Sequence, residues 1–257
     1  MTVRLEIADH VARVTIDRPE VLNALDAEAE AALEGIWQGL EANRDVRAVV
    51  LTGAGERGFC VGADMKNVAK SGLEYWAAAR PSGFGGIALR TTLDIPVIAR
   101  VNGHALGGGF EMVLGCDIVI AAQEAGFGLP EPRVGRLPLD GGMVLLARQI
   151  PFHQAMGMLL TGRRISASQA LDLGLVNEVV PRVELDAAVD RWIADILACA
   201  PLSLRAIKQT VRRTAQLAAT EAQALRLPAL VECLQSADGE EGVRAFREKR
   251  QPLWTGR

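Results

Sequence analysis

Hydrophobic and polar positions follow two different periods in the first fifty residues of the chain. Residues 3–7 and 11–16 alternate apolar and polar side chains, which predicts a β-hairpin. Apolar residues then recur at helical spacing over 26–43, with Asp26 as the N-cap, and predict an amphipathic helix. Residues 46–52 are mostly apolar and predict a buried strand. Strand, helix and strand in this order indicate a parallel sheet.

The same alternation of strand and helix patterns continues through the middle of the chain. Residues 97–101 include the apolar, β-branched Val97, Ile98 and Val101, which predicts a buried strand. Three consecutive glycines at 107–109 follow, and the apolar segment 110–114 after them predicts a helix. Residues 117–122 predict another buried strand, and 126–132 a short extended segment. This part of the chain is therefore predicted to be α/β.

Helical patterns then dominate the sequence. Residues 140–149 and 152–160 each predict a helix. Ser166 with Gln169 has the spacing of a capping box and predicts a short helix that ends at Gly174.

The last quarter of the sequence contains helical patterns alone. Pro228 lies inside one of them and predicts a kink. Asp238 with Glu241 predicts the cap of the last helix. We therefore predict two regions, an α/β core over 1–195 that holds the active site and a helical region over 196–257. Because a helical region with several apolar faces packs onto the body or onto another subunit, we expect an oligomer.

Composition excludes several classes of protein. The 257 residues, 49% of them hydrophobic, are enough for one sizeable core. The formal net charge of −3 provides no basic field for nucleic acid or an acidic membrane. The N-terminus lacks the layout of a signal peptide, no apolar run is long enough to span a bilayer, and the four cysteines have no CxxC spacing. We predict a cytoplasmic protein with reduced cysteines, no metal site and no nucleic-acid or membrane partner.

One glycine-rich segment matches a nucleotide-binding pattern only formally. Residues 53–58 read GAGERG, which fits G-x-G-x-x-G. That pattern binds a dinucleotide when a helix opens inside it, and residues 59–62 are a poor helix start. A glycine-rich turn is the favoured interpretation.

The segment around the three glycines carries the candidate chemistry. A glycine-rich helix start presents bare backbone N–H groups and the positive end of the helix dipole, which can hold a developing oxyanion. Glu111 lies in the first turn of this helix. Glu131 is a second candidate, because Pro130 and Pro132 on either side restrict its backbone. Considered alone, Glu131 would be a solvated acid in a rigid surface turn.

With these segments in view, the chain resembles the crotonase, or enoyl-CoA hydratase/isomerase, superfamily. The resemblance implies an α/β fold, a crotonase-like spiral of ββα turns, with a C-terminal all-helical region that builds trimers, often paired into hexamers. It covers nearly the whole chain through motifs in the same order: DRP with NAL at 17–25, GAGERGFCVGADMK at 53–66, PVIARVNGHALGGGFEMVLGCD at 96–117, FGLPE at 127–131, TGRRISASQA at 161–170, LGLVNEVV at 173–180, and EKRQPLWTGR at 248–257.

The resemblance also implies a function for the candidate residues. The backbone N–H groups of Ala63 and Gly108 would form an oxyanion hole for a thioester enolate. Glu131 would act as acid and base toward the α-carbon, while Glu111 orients and activates the water. The positions implied to bind the substrate or coenzyme A are Ala24, Gly62, Asp64, Met65, Lys66, Gly107, Pro130 and Leu139.

The implied activity is that of an enoyl-CoA hydratase, a lyase (EC 4.2.1 type) of fatty acid metabolism. It would add water reversibly and syn to a 2-trans-enoyl-CoA, giving a 3-hydroxyacyl-CoA. Coenzyme A enters as part of the acyl-CoA substrate, and no separate cofactor is expected. His104 is interpreted as a packing residue rather than a base.

Two departures from the family pattern leave alternatives open. The loop that usually reads Pro-Gly-x-Gly-Gly is Pro-Leu-Asp-Gly-Gly at 138–142, so Leu139 replaces a glycine and Asp140 adds a carboxylate. Arg136 stands where the family usually has an apolar residue. The alternatives are a carnitinyl-CoA dehydratase, an enoyl-CoA delta-isomerase and, more remotely, a non-catalytic RNA-binding homologue, which the acidic balance does not favour.

Overall fold

Two β-sheets with helices around them form the frame of the protein, whose computed structural model describes residues 2–65 and 71–257. The strands in these residues are β1 (Val3–Ala8), β2 (Val11–Ile16), β3 (Ala48–Gly53), β4 (Gly58–Cys60), β5 (Val97–Val101), β6 (His104–Leu106), β7 (Ile118–Ala122), β8 (Gly126–Gly128), β9 (Arg164–Ser166) and β10 (Glu178–Val180). The helices are α1 (Ala27–Ala42), α2 (Gly72–Ala77), α3 (Gly108–Gly115), α4 (Gly142–Gln149), α5 (Phe152–Thr161), α6 (Ala167–Asp172), α7 (Leu185–Leu197), α8 (Pro201–Thr214), α9 (Ala219–Ala224), α10 (Pro228–Leu234) and α11 (Ala237–Glu248).

The larger sheet has the strand order β1-β2-β3-β5-β7-β10. β1 and β2 pair antiparallel, and every other neighbouring pair in this sheet is parallel. The smaller sheet has the order β4-β6-β8-β9, with β8 and β9 antiparallel. The predicted α/β class and parallel sheet are confirmed.

Local sequence explains the first elements. Asp9 and His10 both have positive φ, +48° and +67°, as the two-residue turn of a twisted hairpin requires. Asp26 accepts a hydrogen bond of 2.9 Å from the backbone N–H of Ala29 and begins α1. Trp37 lies on the buried face of α1 and donates from its indole N–H to the Gly85 carbonyl at 2.7 Å. The hairpin and the helix predicted from their periods are confirmed.

The larger sheet separates two hydrophobic cores. Val49 and Leu51 of β3 belong to one buried cluster, while their neighbours Ala48 and Val50 belong to the other. This division follows from the strand geometry, since successive side chains point to opposite faces. The second face is covered by α7. The first face packs against α1 and α3, so that α3 is buried along its whole length.

The helices predicted after residue 140 are confirmed as α4, α5 and α6. Ser166 and Gln169 form a complete capping box, and Gly174 adopts a φ of +78° after α6. No helix in residues 2–65 and 71–257 is both long and apolar enough to cross a bilayer. The division into regions 1–195 and 196–257 remains a prediction.

The kink predicted at Pro228 is wrong, because Pro228 begins a helix instead of bending one. α9 ends at Ala224, and Pro228 is the first residue of α10. Proline suits this position, since the first helical N–H has no intrahelical partner and the fixed φ is already helical.

The cap predicted for the last helix is also wrong. α11 begins after Ser236, and the carboxylates of Asp238 and Glu241 bind the C-terminal segment instead. Asp238 accepts hydrogen bonds from the N–H groups of Thr255 and Gly256, at 2.7 and 2.9 Å. Glu241 accepts from Arg250 and from the N–H of Leu253, at 2.6 and 2.8 Å. The two acids therefore hold the end of the chain against α11.

The contact between α3 and β4 supports a stability prediction. A Cβ atom on Gly109 would lie 2.0 Å from the carbonyl oxygen of Cys60, and this backbone atom cannot move aside alone. We expect Gly109→Ala to lower the free energy of unfolding by about 2–3 kcal/mol. The matched control is Gly39→Ala, an exposed position in α1 with no atom within 4 Å, which we expect to stabilise by about 0.5–1 kcal/mol. Urea denaturation checks both, and equal effects would contradict the prediction.

Candidate active site

The start of α3 is free of side chains because its surroundings leave no room for them. Gly107 has a φ of +55°, and a Cβ atom there would lie 2.7 Å from the Glu131 Oε1 atom. A Cβ atom on Gly108 would lie 2.6 Å from the ring of Phe84. The glycines thus bring the backbone of the helix start against the Glu131 carboxyl group.

The predicted oxyanion segments lie next to each other. A Cβ atom on Gly62, whose φ is +94°, would be 3.2 Å from the backbone nitrogen of Gly108. The segment around Ala63 is held by Leu25, which donates to the Gly62 carbonyl at 2.9 Å and accepts from the N–H of Asp64 at 2.8 Å. The structure therefore brings the backbone at 62–64 to the N-terminus of α3.

Arg18 connects two of the predicted coenzyme A positions. Its guanidinium donates to the Ala24 carbonyl and to the Asp64 carboxylate, the latter at 3.2 Å. Asp64 is buried with this partner, while Met65 is exposed. Lys66 lies outside the described residues. The sequence marked Arg18 as part of a motif without indicating this contact.

Glu111 is buried at 2% exposure in the first turn of α3. Its Oε1 atom accepts two backbone hydrogen bonds, from the N–H of Asp140 at 2.9 Å and from that of Gly142 at 2.8 Å. Burial, followed by the negative charges of Asp140 and Glu131, raises the pKa of Glu111 to about 8 against the effect of the two N–H groups. Glu111 therefore retains a proton at neutral pH.

Glu131 begins the 3-10 helix Glu131–Val134, which Pro130 precedes as N-cap. Its Oε2 atom is buried and has no hydrogen-bond partner among the described residues. Burial raises the pKa of Glu131. Since buried acceptors are normally hydrogen-bonded, this oxygen is a candidate to bind a ligand's donor group. The interpretation of Glu131 as a solvated surface acid is wrong.

The two glutamates lie close enough to affect each other's protonation. The negative charge of Glu131 contributes to the raised pKa of Glu111, so the two carboxyl groups do not ionise independently. A pair of this kind holds one proton over an intermediate pH range and titrates as a unit. Such a pair can donate a proton at one point and accept a proton at another.

A polar cluster that the sequence did not predict adjoins Glu111. The Tyr75 hydroxyl donates to the Asp140 carboxylate, and the Arg80 Nε atom lies 3.6 Å from the same carboxylate. Arg80 also donates to both oxygens of Glu30, at 2.7 and 3.3 Å. The sequence identifies Asp140 as a departure from the family loop, but no periodicity or motif indicates Tyr75, Arg80 or Glu30. The neighbouring Leu139 is half-buried.

His104 lies in β6, and its Nδ1 atom has no hydrogen-bond partner in the described residues. That atom would be 3.1 Å from a Cβ on Gly126 of β8, which is close packing. Within residues 2–65 and 71–257, no group of three or more His, Cys, Asp or Glu side chains is placed to hold a metal ion.

Comparison with known proteins adds to this geometry. The sequence profile described as enoyl-CoA hydratase/isomerase matches residues 6–257. The chain is 41% identical to (E)-benzylidenesuccinyl-CoA hydratase from Thauera aromatica over 257 residues, 100% of both chains. It is 37% identical to carnitinyl-CoA dehydratase from Salmonella heidelberg over 251 residues, 96% of this chain and 95% of that one. The crystal structure of an enoyl-CoA hydratase from Bacillus anthracis, 33% identical, superposes over 100% of both chains with a TM-score of 0.92.

Proposed function

This chain belongs to the enoyl-CoA hydratase/isomerase family, as a lyase, and we propose that it catalyses the reversible syn addition of water to a 2-trans-enoyl-CoA. Hydratase or dehydratase chemistry on a CoA thioester is supported by the profile and by the names of the relatives. The observation that carries the proposal is the pair Glu111 and Glu131 beside the glycine start of α3, with the Glu131 Oε2 atom buried and unpartnered within the described residues.

The thioester oxygen is bound by the backbone N–H groups of Ala63 and Gly108 in this proposal. Both N–H groups belong to segments that lie against each other at Gly62, which supports their assignment to one oxyanion hole. Preorganised donors of this kind stabilise an enolate more than the neutral thioester, which lowers the barrier.

Hydration then requires removal of one proton from water and delivery of one proton to Cα. Hydration starts from the form of the pair in which Glu131 carries the proton and Glu111 is ionised. Glu111 accepts a proton from water while the water oxygen forms a bond to Cβ. The C=C electron pair shifts into the bond between Cα and the carbonyl carbon, and the carbonyl π pair moves to the thioester oxygen. Glu131 donates its proton to Cα as the enolate collapses, so that the product gains one hydroxyl group and one hydrogen. The proton taken up by Glu111 leaves the enzyme with the pair again singly protonated.

The reverse reaction starts from the other protonation state of the same pair. Glu131 without its proton removes hydrogen from Cα, and protonated Glu111 delivers a proton to the leaving hydroxyl group. The raised pKa of Glu111 favours its protonated form, which is the form that begins elimination. A second candidate is dehydration of a carnitinyl-CoA-type substrate by the same two glutamates, which the 37% identity to carnitinyl-CoA dehydratase supports.

The remaining positions are proposed to bind the substrate. Ala24, Gly62, Asp64, Met65 and Lys66 would contact coenzyme A. Further positions along the acyl thioester would be Gly107, Pro130 and Leu139. A homotrimer or a homohexamer and a cytoplasmic location are likewise proposed. Exposed apolar side chains on the C-terminal helices, such as Leu234 and Phe246, support assembly of several copies.

A panel of thioesters tests the proposed reaction. Loss of the conjugated thioester absorbance is followed with crotonyl-CoA, longer 2-enoyl homologues, crotonobetainyl-CoA and benzylidenesuccinyl-CoA. We expect hydration of at least one of them, and the preferred member identifies the acyl group. Incubation with a 3-enoyl-CoA separates the isomerase alternative, since an isomerase stops at the 2-enoyl product whereas a hydratase goes on to the hydroxyacyl product. No turnover of any member would refute the proposal.

A further inference from the structure

We propose that Asp140 is a positioning residue for Glu111, and that its side chain, anchored by Tyr75 and Arg80, fixes the two amides that bind the Glu111 carboxyl group. This inference rests on the proposed acid–base role of Glu111. The Asp140 carboxylate is one of the two features by which the loop at 138–142 differs from the family pattern, and the inference gives it a function.

The backbone of the turn at 140–142 contacts Glu111 directly. The N–H groups of Asp140 and Gly142 both donate to the same oxygen of Glu111, Oε1, at 2.9 and 2.8 Å. With Oε1 held twice, the direction of the second oxygen is set by the position of residues 140–142. A small shift of this turn would therefore rotate the carboxyl group away from its reacting partner.

The turn itself has little room and an unusual conformation. Gly141 has a φ of +117°, and a Cβ atom on it would lie 2.8 Å from the Leu89 side chain. A Cβ atom on Gly142 would lie 3.0 Å from the Glu111 Oε1 atom. Glycines allow this close approach but also leave the turn flexible, so that an anchor outside the backbone is needed to hold it.

The side chain of Asp140 provides that anchor. It is 6% exposed, its Oδ2 atom accepts from the Tyr75 hydroxyl, and its Oδ1 atom faces the Arg80 guanidinium at 3.6 Å. A buried carboxylate is tolerated only with such partners, and removing them leaves an uncompensated charge. The turn that holds Glu111 is thus tied to α2 and to the segment that follows it.

The anchor extends to a third element. Arg80 forms a two-bond contact with Glu30 of α1, and its Cζ atom lies 4.5 Å from the centre of the Tyr75 ring. Arginine suits this place because its planar fork binds a carboxylate through two hydrogen bonds while its face stacks on an aromatic ring. The cluster therefore joins α1, α2 and the loop at 138–142 around one carboxylate.

The charge of Asp140 also affects when Glu111 ionises. The charged groups that face Glu111 are Asp140 and Glu131, and those that face Asp140 are Arg80 and Glu30, with the neutral hydroxyl of Tyr75. Because a nearby anion makes a carboxyl group hold its proton to higher pH, Asp140 raises the pKa of Glu111. Neutralising Asp140 should therefore move the alkaline limb of the pH–rate profile to lower pH.

Three variants separate the anchor from the charge. Asp140→Asn keeps an oxygen that accepts from Tyr75 but removes the charge, so we expect kcat within about threefold of wild type and an alkaline limb of kcat/KM lowered by roughly one pH unit. Asp140→Ala removes the charge and also the oxygen that accepts from Tyr75. We expect kcat to fall about thirtyfold, with KM for crotonyl-CoA nearly unchanged. Tyr75→Phe removes the hydroxyl but keeps the ring under Arg80, and kcat should fall about tenfold.

Asp94→Asn is the matched control. Asp94 is half-buried and hydrogen-bonded to a neutral side chain, Gln209, at 2.6 Å, and burial raises its pKa as it does that of Asp140. It has no contact with the cluster, so its replacement should leave kcat and both limbs of the profile unchanged.

A spectroscopic measurement is independent of turnover. Tyr75 is the only tyrosine in the sequence, so ultraviolet absorbance reports its ionisation alone. Burial, the hydrogen bond to Asp140 and the charge of Asp140 all raise the pKa of Tyr75. We expect Tyr75 of the folded wild-type protein to stay un-ionised up to strongly alkaline pH. In both Asp140 variants, Tyr75 should ionise about one pH unit or more below the pH at which it ionises in the wild-type protein.

These readouts distinguish the possible failures. Wild-type kcat, alkaline limb and tyrosine titration in Asp140→Ala would overturn the inference. Asp140→Asn could instead lose kcat together with a raised KM and a lower melting temperature, while the alkaline limb of its pH–rate profile stays unshifted. That result would indicate a purely structural role for Asp140 and would also overturn the inference. A shifted tyrosine titration together with full activity of Glu111→Gln would instead refute the role proposed for Glu111, while the contact between Asp140 and Tyr75 stands.

Discussion

Glutamine in place of Glu131 is expected to lower kcat for hydration of crotonyl-CoA by about a thousandfold, with KM changed by less than about threefold. General acid–base groups contribute 10²- to 10⁴-fold, and the amide has almost the same size as the acid but cannot exchange a proton with Cα. The Oε2 atom of Glu131, which has no protein partner among the described residues, is the group removed. Steady-state kinetics with the thioester absorbance check the result.

The control for this variant is Glu6→Gln, an equivalent change at an exposed position of β1. It should leave kcat and KM unchanged. A second check uses exchange of the Cα hydrogen of a 3-hydroxyacyl-CoA with solvent, which Glu131→Gln should abolish. Activity of Glu131→Gln equal to that of Glu6→Gln would remove Glu131 from the mechanism.

Glutamine in place of Glu111 is expected to lower kcat by about a thousandfold and to raise the stability of the protein at alkaline pH. The pKa of Glu111 is raised from 4.5 to about 8 in the folded protein. Between these values the folded state binds a proton that the unfolded state has lost, so the free energy of unfolding falls as pH rises through this range. The wild-type protein should lose roughly 2–4 kcal/mol from this group by about pH 9.

The Glu111→Gln variant should not lose this free energy of unfolding as the pH rises. Its amide oxygen can still accept from the N–H groups of Asp140 and Gly142, and no buried charge forms at high pH. Urea denaturation at about pH 5 and about pH 9 measures the difference between the proteins at each pH. Equal pH dependence in both proteins would contradict the raised pKa of Glu111, whereas full activity of the variant would contradict its role in catalysis.

The stability cost at Glu111 fits the proposed chemistry. A carboxyl group that keeps its proton near neutral pH can deliver that proton to a leaving hydroxyl group and can take it back from water. Perturbed pKa values of this size concentrate at functional sites because burial that destabilises the charged form also tunes its reactivity.

Much of the fold was predictable from local patterns. The hairpin and α1 follow from periods of two and 3.6 and from Asp26 as N-cap, since these patterns depend on neighbours along the chain. The short strands β4, β6 and β9 have three residues each, too few to show a period. They form because neighbouring strands supply their hydrogen bonds.

The two wrong predictions, the cap of α11 and the kink at Pro228, also concern positions where contacts between distant parts of the chain decide the structure. Asp238 and Glu241 have the spacing of a capping box, and a free helix would use them in that way. In the folded chain the C-terminal segment supplies N–H groups and Arg250, which bind these acids instead. Pro228 is compatible with a kink and with a helix start, and the packing of α8 against α10 decides between them.

The amino-acid sequence by itself determined the kinds of chemical group available to this protein: two glutamates, a run of glycines that can expose backbone N–H groups, and a parallel α/β frame. Only the tertiary structure decided how strongly each acid holds its proton and which groups steer it. Glu111 is buried and accepts hydrogen bonds from two backbone N–H groups of the loop at 138–142. That loop is anchored by the cluster of Tyr75, Arg80 and Asp140, in which Tyr75 and Asp140 are 65 positions apart in the chain. Electrostatic interactions and hydrogen bonds depend on the distance between groups in space. For residues far apart in the sequence, that distance is fixed only when the chain has folded.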